Sequence, residues 1–395
     1  MRERYLVRFF WYNALKGEEK MFTKVLMIIL VCFLIAGGID RLFGNRIGIG
    51  AEFERGFYLM GTTTLSVVGL LVLAPALASA LTTVLSPVFR LIGADPAMFP
   101  GMLTSTEVSL PISLAMTENE QIAKFSGIIV GSCMGGVISF TIPLACGLIK
   151  KEDYRYFSAG ILTGFIFDPL ACFIGGVVMG MDPGVIVIQL IPVIILAVIL
   201  VLLMLFIPEP VMKAFRYFSW FLMAVVTFGL FCGAVESMTG LVIIPGLNPI
   251  SEGFKTIGTI ALSVASVLCL LFVVRKVLAK PLAALARKLG INELSIVNII
   301  MSATTIVPGY SSYDQMNGKG KLLFAALTAA ATPALGVHLG VTSAMAPEMI
   351  FPMLVCRACG GVFAVISALL FSKRLFKKDE LLQIRSGAFH ARFAG

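Results

Sequence analysis

Residues 185–207 read Val-Ile-Val-Ile-Gln-Leu-Ile-Pro-Val-Ile-Ile-Leu-Ala-Val-Ile-Leu-Val-Leu-Leu-Met-Leu-Phe-Ile. A run of this length, interrupted only by Gln189 and Pro192, matches the ~20 residues that a helix needs to cross the hydrocarbon of a bilayer. Lipid offers no partners to backbone N–H and C=O groups, so such a run must close its hydrogen bonds within itself as a helix. Similar runs occupy 21–39, 56–81, 122–149, 156–181, 218–235, 257–274, 322–345 and 350–371. With 58% hydrophobic and 13% charged residues and a mean hydropathy of +0.96, the expected class is an all-α polytopic membrane protein of about nine transmembrane helices.

The formal net charge of +9 does not point to nucleic acid, because the basic residues fall between apolar runs, where they orient a membrane chain. The lipid bilayer is the expected partner, and a homo-oligomer is compatible with the sequence. All eight cysteines lie inside apolar segments, which fits small packing thiols rather than a disulfide framework. Cys356 and Cys359 form a C-x-x-C spacing, but no second pair or histidines accompany it, so no metal or cofactor is expected. Nor does any nucleophile and base pair suggest an enzyme.

Two short stretches break the pattern. Residues 99–111 read Phe-Pro-Gly-Met-Leu-Thr-Ser-Thr-Glu-Val-Ser-Leu-Pro, which places Thr104, Ser105, Thr106 and Glu107 at the waist of an apolar segment bracketed by prolines. About half the chain later, residues 302–314 repeat the design with Thr304, Thr305, Pro308, Gly309 and Tyr310. Polar, helix-breaking hairpins at membrane depth are by default substrate or ion sites, and a facing pair of them suits a secondary transporter.

The sequence also aligns with itself. At one fixed offset Gly56, Phe57, Gly61, Thr62, Leu65, Ser66 and Val67 meet Gly253, Phe254, Gly258, Thr259, Leu262, Ser263 and Val264, while Pro111 meets Pro308 and Lys124 meets Lys321. The expected plan is an N-terminal extension (1–20), a first repeat (21–181), a linking helix (182–217), a second repeat (218–371) and a basic cytoplasmic tail (372–395). The extension shows no cleavable signal peptide and reads as an interfacial amphipathic helix, the alternative being that the true start is Met21. If both hairpins are re-entrant, each repeat crosses four times and the single linking span inverts the second repeat. That topology leaves only the extension, Arg90, Lys124 and Lys255 as basic groups outside, so it puts the C-terminus in the cytoplasm. Two amphipathic connectors, 82–94 and 276–292, are expected between span and hairpin.

Phe57-x-x-Met60-Gly61, Val68-Gly69, Leu73-Ala74-Pro75, Gly93-Ala94-x-Pro96-x-Met98-Phe99-x-Gly101, Ile244-Pro245-Gly246-Leu247 and His338-Leu339-Gly340 resemble the ethanolamine utilisation transporter family. The similarity extends over nearly all of 21–371. It implies a bacterial inner-membrane permease for ethanolamine. The order of connector, hairpin and broken span is also similar to that of concentrative nucleoside transporters, which implies elevator-type motion. The chain departs from the family pattern at Val108-Ser109-Leu110, where glycines are expected, at Val337, where an acid is expected beside the histidine, and at Asp168-Pro169, which is additional. A permease for another small polar amine or a nucleoside-like metabolite is therefore the alternative, and a non-transporting membrane sensor or scaffold is the alternative of another class.

The candidate substrate residues follow from these stretches. A buried carboxylate needs a cationic partner or a proton, which makes Glu107 the first candidate for holding an ammonium. Asp168 could share that role or simply cap a half-helix. His338 could donate to a hydroxyl or pack among small residues. Thr104, Ser105, Thr106, Thr304 and Thr305 could bond a substrate hydroxyl or satisfy hairpin backbone. Tyr310 could offer its ring face to an ammonium or anchor at the interface.

Overall fold

The computed structural model describes residues 2–331 and 333–393, without the side chains of 2–20, 66, 208, 279–280, 282–283, 285–286 and 373–393. The side chains of the N-terminal extension, and those of the basic tail beyond Ser372, therefore lie outside the described residues. Among the described residues the fold is built of helices, and no strand occurs. Nine helical stretches among the described residues are long and apolar enough to cross a bilayer, as the hydrophobic runs require. The chain is a multi-pass membrane protein.

α1 (Arg2–Leu42) leads through a tight turn into α2 (Ile49–Leu91). The Asp40 carboxylate accepts the N–H groups of Ile47 (2.9 Å), Gly48 (3.1 Å) and Gly50 (2.9 Å), so it caps α2 rather than standing solvated at the interface. The first hairpin follows as α3 (Met98–Leu103) and α4 (Thr106–Met116). α5 (Glu120–Lys124) opens a span that continues as π-helix over Phe125–Gly135 and Val137–Thr141 and closes as α6 (Ile142–Leu148). π-helical turns inside a span are uncommon and concentrate at functional sites. α7 (Tyr154–Phe165) and α8 (Asp168–Val178) share one span with a break before Asp168, and α9 (Pro183–Phe206) is the linking helix.

The second half runs α10 (Pro208–Thr239), α11 (Ile250–Leu289), the second hairpin α12 (Glu293–Met301) and α13 (Val307–Ser311), then α14 (Gly318–Ala330). After α14 the span breaks, resumes as π-helix over Ala334–His338 and ends as α15 (Leu339–Met345); α16 (Ile350–Phe393) completes the chain. The amphipathic connectors are not separate elements: α2 and α11 run straight through Pro87 and Pro281. A proline removes a single N–H, and the surrounding turns hold the helix together across it.

Burial sorts the spans into core and rim. The window in Glu120–Leu148 is 78% buried and that in Gly318–Met345 71%, against 11% for Met21–Leu42 and 22% for Glu209–Thr239. The two spans with π-helical segments therefore form the centre.

Contacts between the halves come in reciprocal pairs. A methyl placed on Gly56 would sit 2.3 Å from Ala265 Cα, and one on Gly253 would sit 2.8 Å from Val68 Cγ1. Likewise Gly37 abuts Cys269 and Gly233 abuts Val72. Lys124 bonds Glu348, and Lys321 bonds Asp153 at 2.5 Å. Small residues at these crossings let backbones approach closely where no hydrophobic effect drives helices together.

Candidate functional site

The first hairpin owes its shape to its own side chains. Thr104 is extended (φ −130°, ψ 150°), as is Ser105 (φ −72°, ψ 165°), so α3 ends and α4 starts afresh. Thr104 Oγ1 donates to Pro100 O (2.7 Å), which occupies its hydroxyl. Ser105 N–H donates to Ser139 Oγ at 3.1 Å, tying the break to the π-helical span, and Ser109 Oγ donates to Gly127 O at 2.8 Å in that same span. Gly135 makes the docking possible, since a methyl there would lie 2.0 Å from Thr104 O.

Glu107 stands in the first turn of α4, half-buried. Ser105 Oγ donates to its Oε1, while Oε2 is buried with no hydrogen-bond partner among the described residues. The neighbouring Thr106 Oγ1 is likewise buried and unpartnered. Glu107 makes no ion pair among the described residues. A carboxylate oxygen and a hydroxyl in the same helical turn, both without partners among the described residues, are chemically suited to an ammonium and an alcohol.

α4 also packs against the Ala334–His338 segment and α15, which brings the hairpin to the second broken span. There His338 is 4% exposed, its Nδ1 is unpartnered, and its ring rests on Gly136, where a methyl would lie 3.4 Å from Nε2. Thr342 Oγ1, one turn further on, also lacks a partner among the described residues.

Asp168 opens α8 with 0% exposure, and neither of its oxygens has a hydrogen-bond partner among the described residues. Its electrostatic neighbours are Arg357, 1% exposed on α16, and Cys133. Arg357 is thus a positive charge already at hand, which sets Asp168 apart from Glu107 as a holder of an incoming cation. A charged residue inside the last span is itself the sequence signal that marks Arg357 for this centre.

The second hairpin differs. Thr304 Oγ1 donates to Met301 O (3.1 Å), and its carbonyl abuts Gly336, where a methyl would lie 2.2 Å away. Leu335 N–H donates to Ala303 O at 2.8 Å, so this break is docked on the second broken span as the first is on its own. Thr304 and Thr305 line a narrow cleft with Glu52, Arg55, Arg275 and Met301. Glu52 is bridged there by Arg275 (3.0 Å) and Arg55 (3.5 Å).

Tyr310 does not join the polar centre. It is wholly buried, its OH pairs with Thr328 Oγ1 at 2.6 Å, and its ring packs on Phe324 (5.0 Å), Tyr313 (5.7 Å) and Phe157 (5.8 Å). Ring and hydroxyl are both engaged, so the residue is a packing anchor rather than a face for an ammonium.

Residues 22–371 match the family described as Ethanolamine utilisation protein, EutH. The "Probable ethanolamine permease EutH" of Listeria monocytogenes serotype 1/2a (strain 10403S) is 40% identical over 361 residues, 91% of this chain and 96% of that protein. The protein of the same name from Salmonella typhimurium (strain LT2) is 32% identical over 406 residues, covering 93% of this chain and 98% of its own length. The uncharacterized protein YxeR of Bacillus subtilis (strain 168) is 36% identical over 344 residues, 87% of this chain and 93% of its own. No solved structure matches. With the family match spanning the nine apolar helices and both polar hairpins, the chain belongs to the EutH family of ethanolamine utilisation proteins.

Proposed function

We propose that the protein is a permease that carries ethanolamine across the bacterial inner membrane, with its C-terminus in the cytoplasm. The observation that carries this reading is Glu107: a carboxylate at a helix break in the bundle, with one oxygen held by Ser105 and the other without a partner among the described residues. Its role is to accept the substrate ammonium, with Thr106 and the His338 imidazole placed for the alcohol oxygen. Asp168, in the field of Arg357, sets the charge of the centre rather than gripping the amine. The membrane potential draws a cation inward by about 2.3 kcal/mol per charge per 100 mV, so a uniport suffices.

Two inverted repeats, 21–181 and 218–371 joined by 182–217, account for the reciprocal contacts. A two-fold relation turns each contact into its partner, as with Gly56 on Ala265 and Gly253 on Val68. Lys124–Glu348 and Lys321–Asp153 likewise join matching lysines to acids of the other repeat, the acids standing two residues off exact correspondence. Hairpins docked on broken spans beside a closely packed pair of long helices, α2 and α11, are the parts an elevator-type motion would use.

Counterflow of labelled ethanolamine in proteoliposomes tests the function. Glu107→Gln is expected to abolish uptake while leaving the protein monodisperse. Undiminished uptake in that variant removes the assigned role, and absence of counterflow in the unaltered protein removes the substrate.

A further inference from the structure

Three cysteines far apart in sequence converge in the core. Cys133 lies on the π-helical segment Phe125–Gly135, Cys172 one turn after Asp168 on α8, and Cys356 on α16. All three are 0% exposed, and their Sγ atoms lie within 4.8 Å of one another, with Cys133 and Cys356 at 3.6 Å. The C-x-x-C spacing of the sequence is not what builds this group. Cys359, its second member, is only half-buried and stands outside the trio.

We propose that Cys133, Cys172 and Cys356 form a binding site for a soft monovalent metal ion, Cu(I). Three sulfurs around a common centre at the ~2.3 Å typical of metal–thiolate bonds are separated by about 4.0 Å in a trigonal plane, a spacing this trio brackets. Thiolates select soft ions. Zinc ordinarily takes four ligands, and among the described residues no fourth His, Cys or acidic ligand atom belongs to the group, so a three-coordinate ion fits the donor set better. Charge points the same way. Cu(I) displaces the protons of two thiols, which leave to solvent, and the third sulfur donates a lone pair as the neutral thiol. The complex then carries one negative charge, which the Arg357 guanidinium, shared with Asp168, offsets in part. The sulfurs come from three spans, two in the first half and one in the second, so a bound ion would fasten the halves together at this level.

The test uses the purified, reduced full-length protein offered the Cu(I)–bicinchoninate complex, with the colour of the chelate as readout. The unaltered protein and Cys359→Ala are expected to withdraw one equivalent of Cu(I) per chain. Cys133→Ala, Cys172→Ala and Cys356→Ala, each monodisperse, should bind more weakly, by at least the ~10–100-fold that follows loss of a mere supporting partner. X-ray absorption on the loaded unaltered protein should show a first shell of sulfur only. No withdrawal by the unaltered protein, withdrawal undiminished in the Cys133→Ala/Cys356→Ala double variant, or a nitrogen and oxygen shell would each overturn the site.

Discussion

Two of the ion pairs that link the halves, Lys321–Asp153 and Lys124–Glu348, should differ sharply in strength, although their lysines stand at matching sequence positions. Lys321 Nζ lies 2.5 Å from Asp153 Oδ1, and the two side chains are 11% and 9% exposed. Lys124 bonds both Glu348 and Glu120 (2.6 Å), and those acids are 54% and 70% exposed. Removing one partner of a buried pair strands the other charge and costs about 3–5 kcal/mol, roughly two to nearly four powers of ten in the folding equilibrium. Removing one partner of an exposed pair costs about 0–1 kcal/mol, and Lys124 still retains Glu120. Asp153→Ala should therefore lower the unfolding midpoint in mixed micelles markedly, with Glu348→Ala close to the unaltered protein. Tyr313, whose ring centroid lies 5.9 Å from Lys321 Nζ, softens the loss without replacing the carboxylate. The double variant Asp153→Leu/Lys321→Met should recover most of the stability, because an apolar pair of similar volume needs no desolvation of charge. Equal shifts for Asp153→Ala and Glu348→Ala, or no recovery in the double variant, would show that the Lys321–Asp153 contact carries no buried charge.

Gly135→Ala should displace the first hairpin, because its methyl would meet backbone oxygens at 2.0 Å (Thr104) and 2.5 Å (Gly101); a cost of about 1–3 kcal/mol and a fall in ethanolamine flux are expected, and normal flux would refute rigid docking. Tyr310→Phe deletes the bond to Thr328 Oγ1, which should cost about 1 kcal/mol of stability and leave the KM for ethanolamine unchanged in the counterflow assay. Lys150 bonds Asp314 at 2.8 Å and holds that carboxyl below its usual pKa, while Asp314 raises the lysine. A lowered acid loses its contribution as pH falls through the folded pKa, and a raised base loses its own as pH rises through it. The bridge thus stays intact between roughly pH 4 and 10, and Asp314→Asn should not alter the pH profile of uptake between about pH 5 and 8.

Much of the architecture follows from run length alone. A backbone in lipid must be helical and about 20 residues long to cross, so 185–207 and its eight counterparts announce the spans, while the repeated Gly-Phe and Pro positions carry the duplicated plan proposed above. The helix breaks at Thr104–Ser105 and Ser302–Thr305 were legible too, because proline and hydroxyl side chains inside an apolar run have few other uses. Glu107 stood out for the same reason, as an acid with nothing cationic beside it in sequence.

Which polar groups actually meet was settled only by packing between spans, since contacts such as Cys133 with Cys356 join residues on helices whose relative register no local pattern encodes. Tyr310 looked available on its hairpin and was turned inward onto Phe324 and Thr328, because burying an aromatic ring in a dry core outweighs leaving it at a cavity edge. Asp168 and Arg357, placed in different halves, came under each other's influence through the crossing of α8 and α16. Local chemistry in the chain decides where helices form and break; the close approach of helices in three dimensions decides which buried charges and thiols become neighbours.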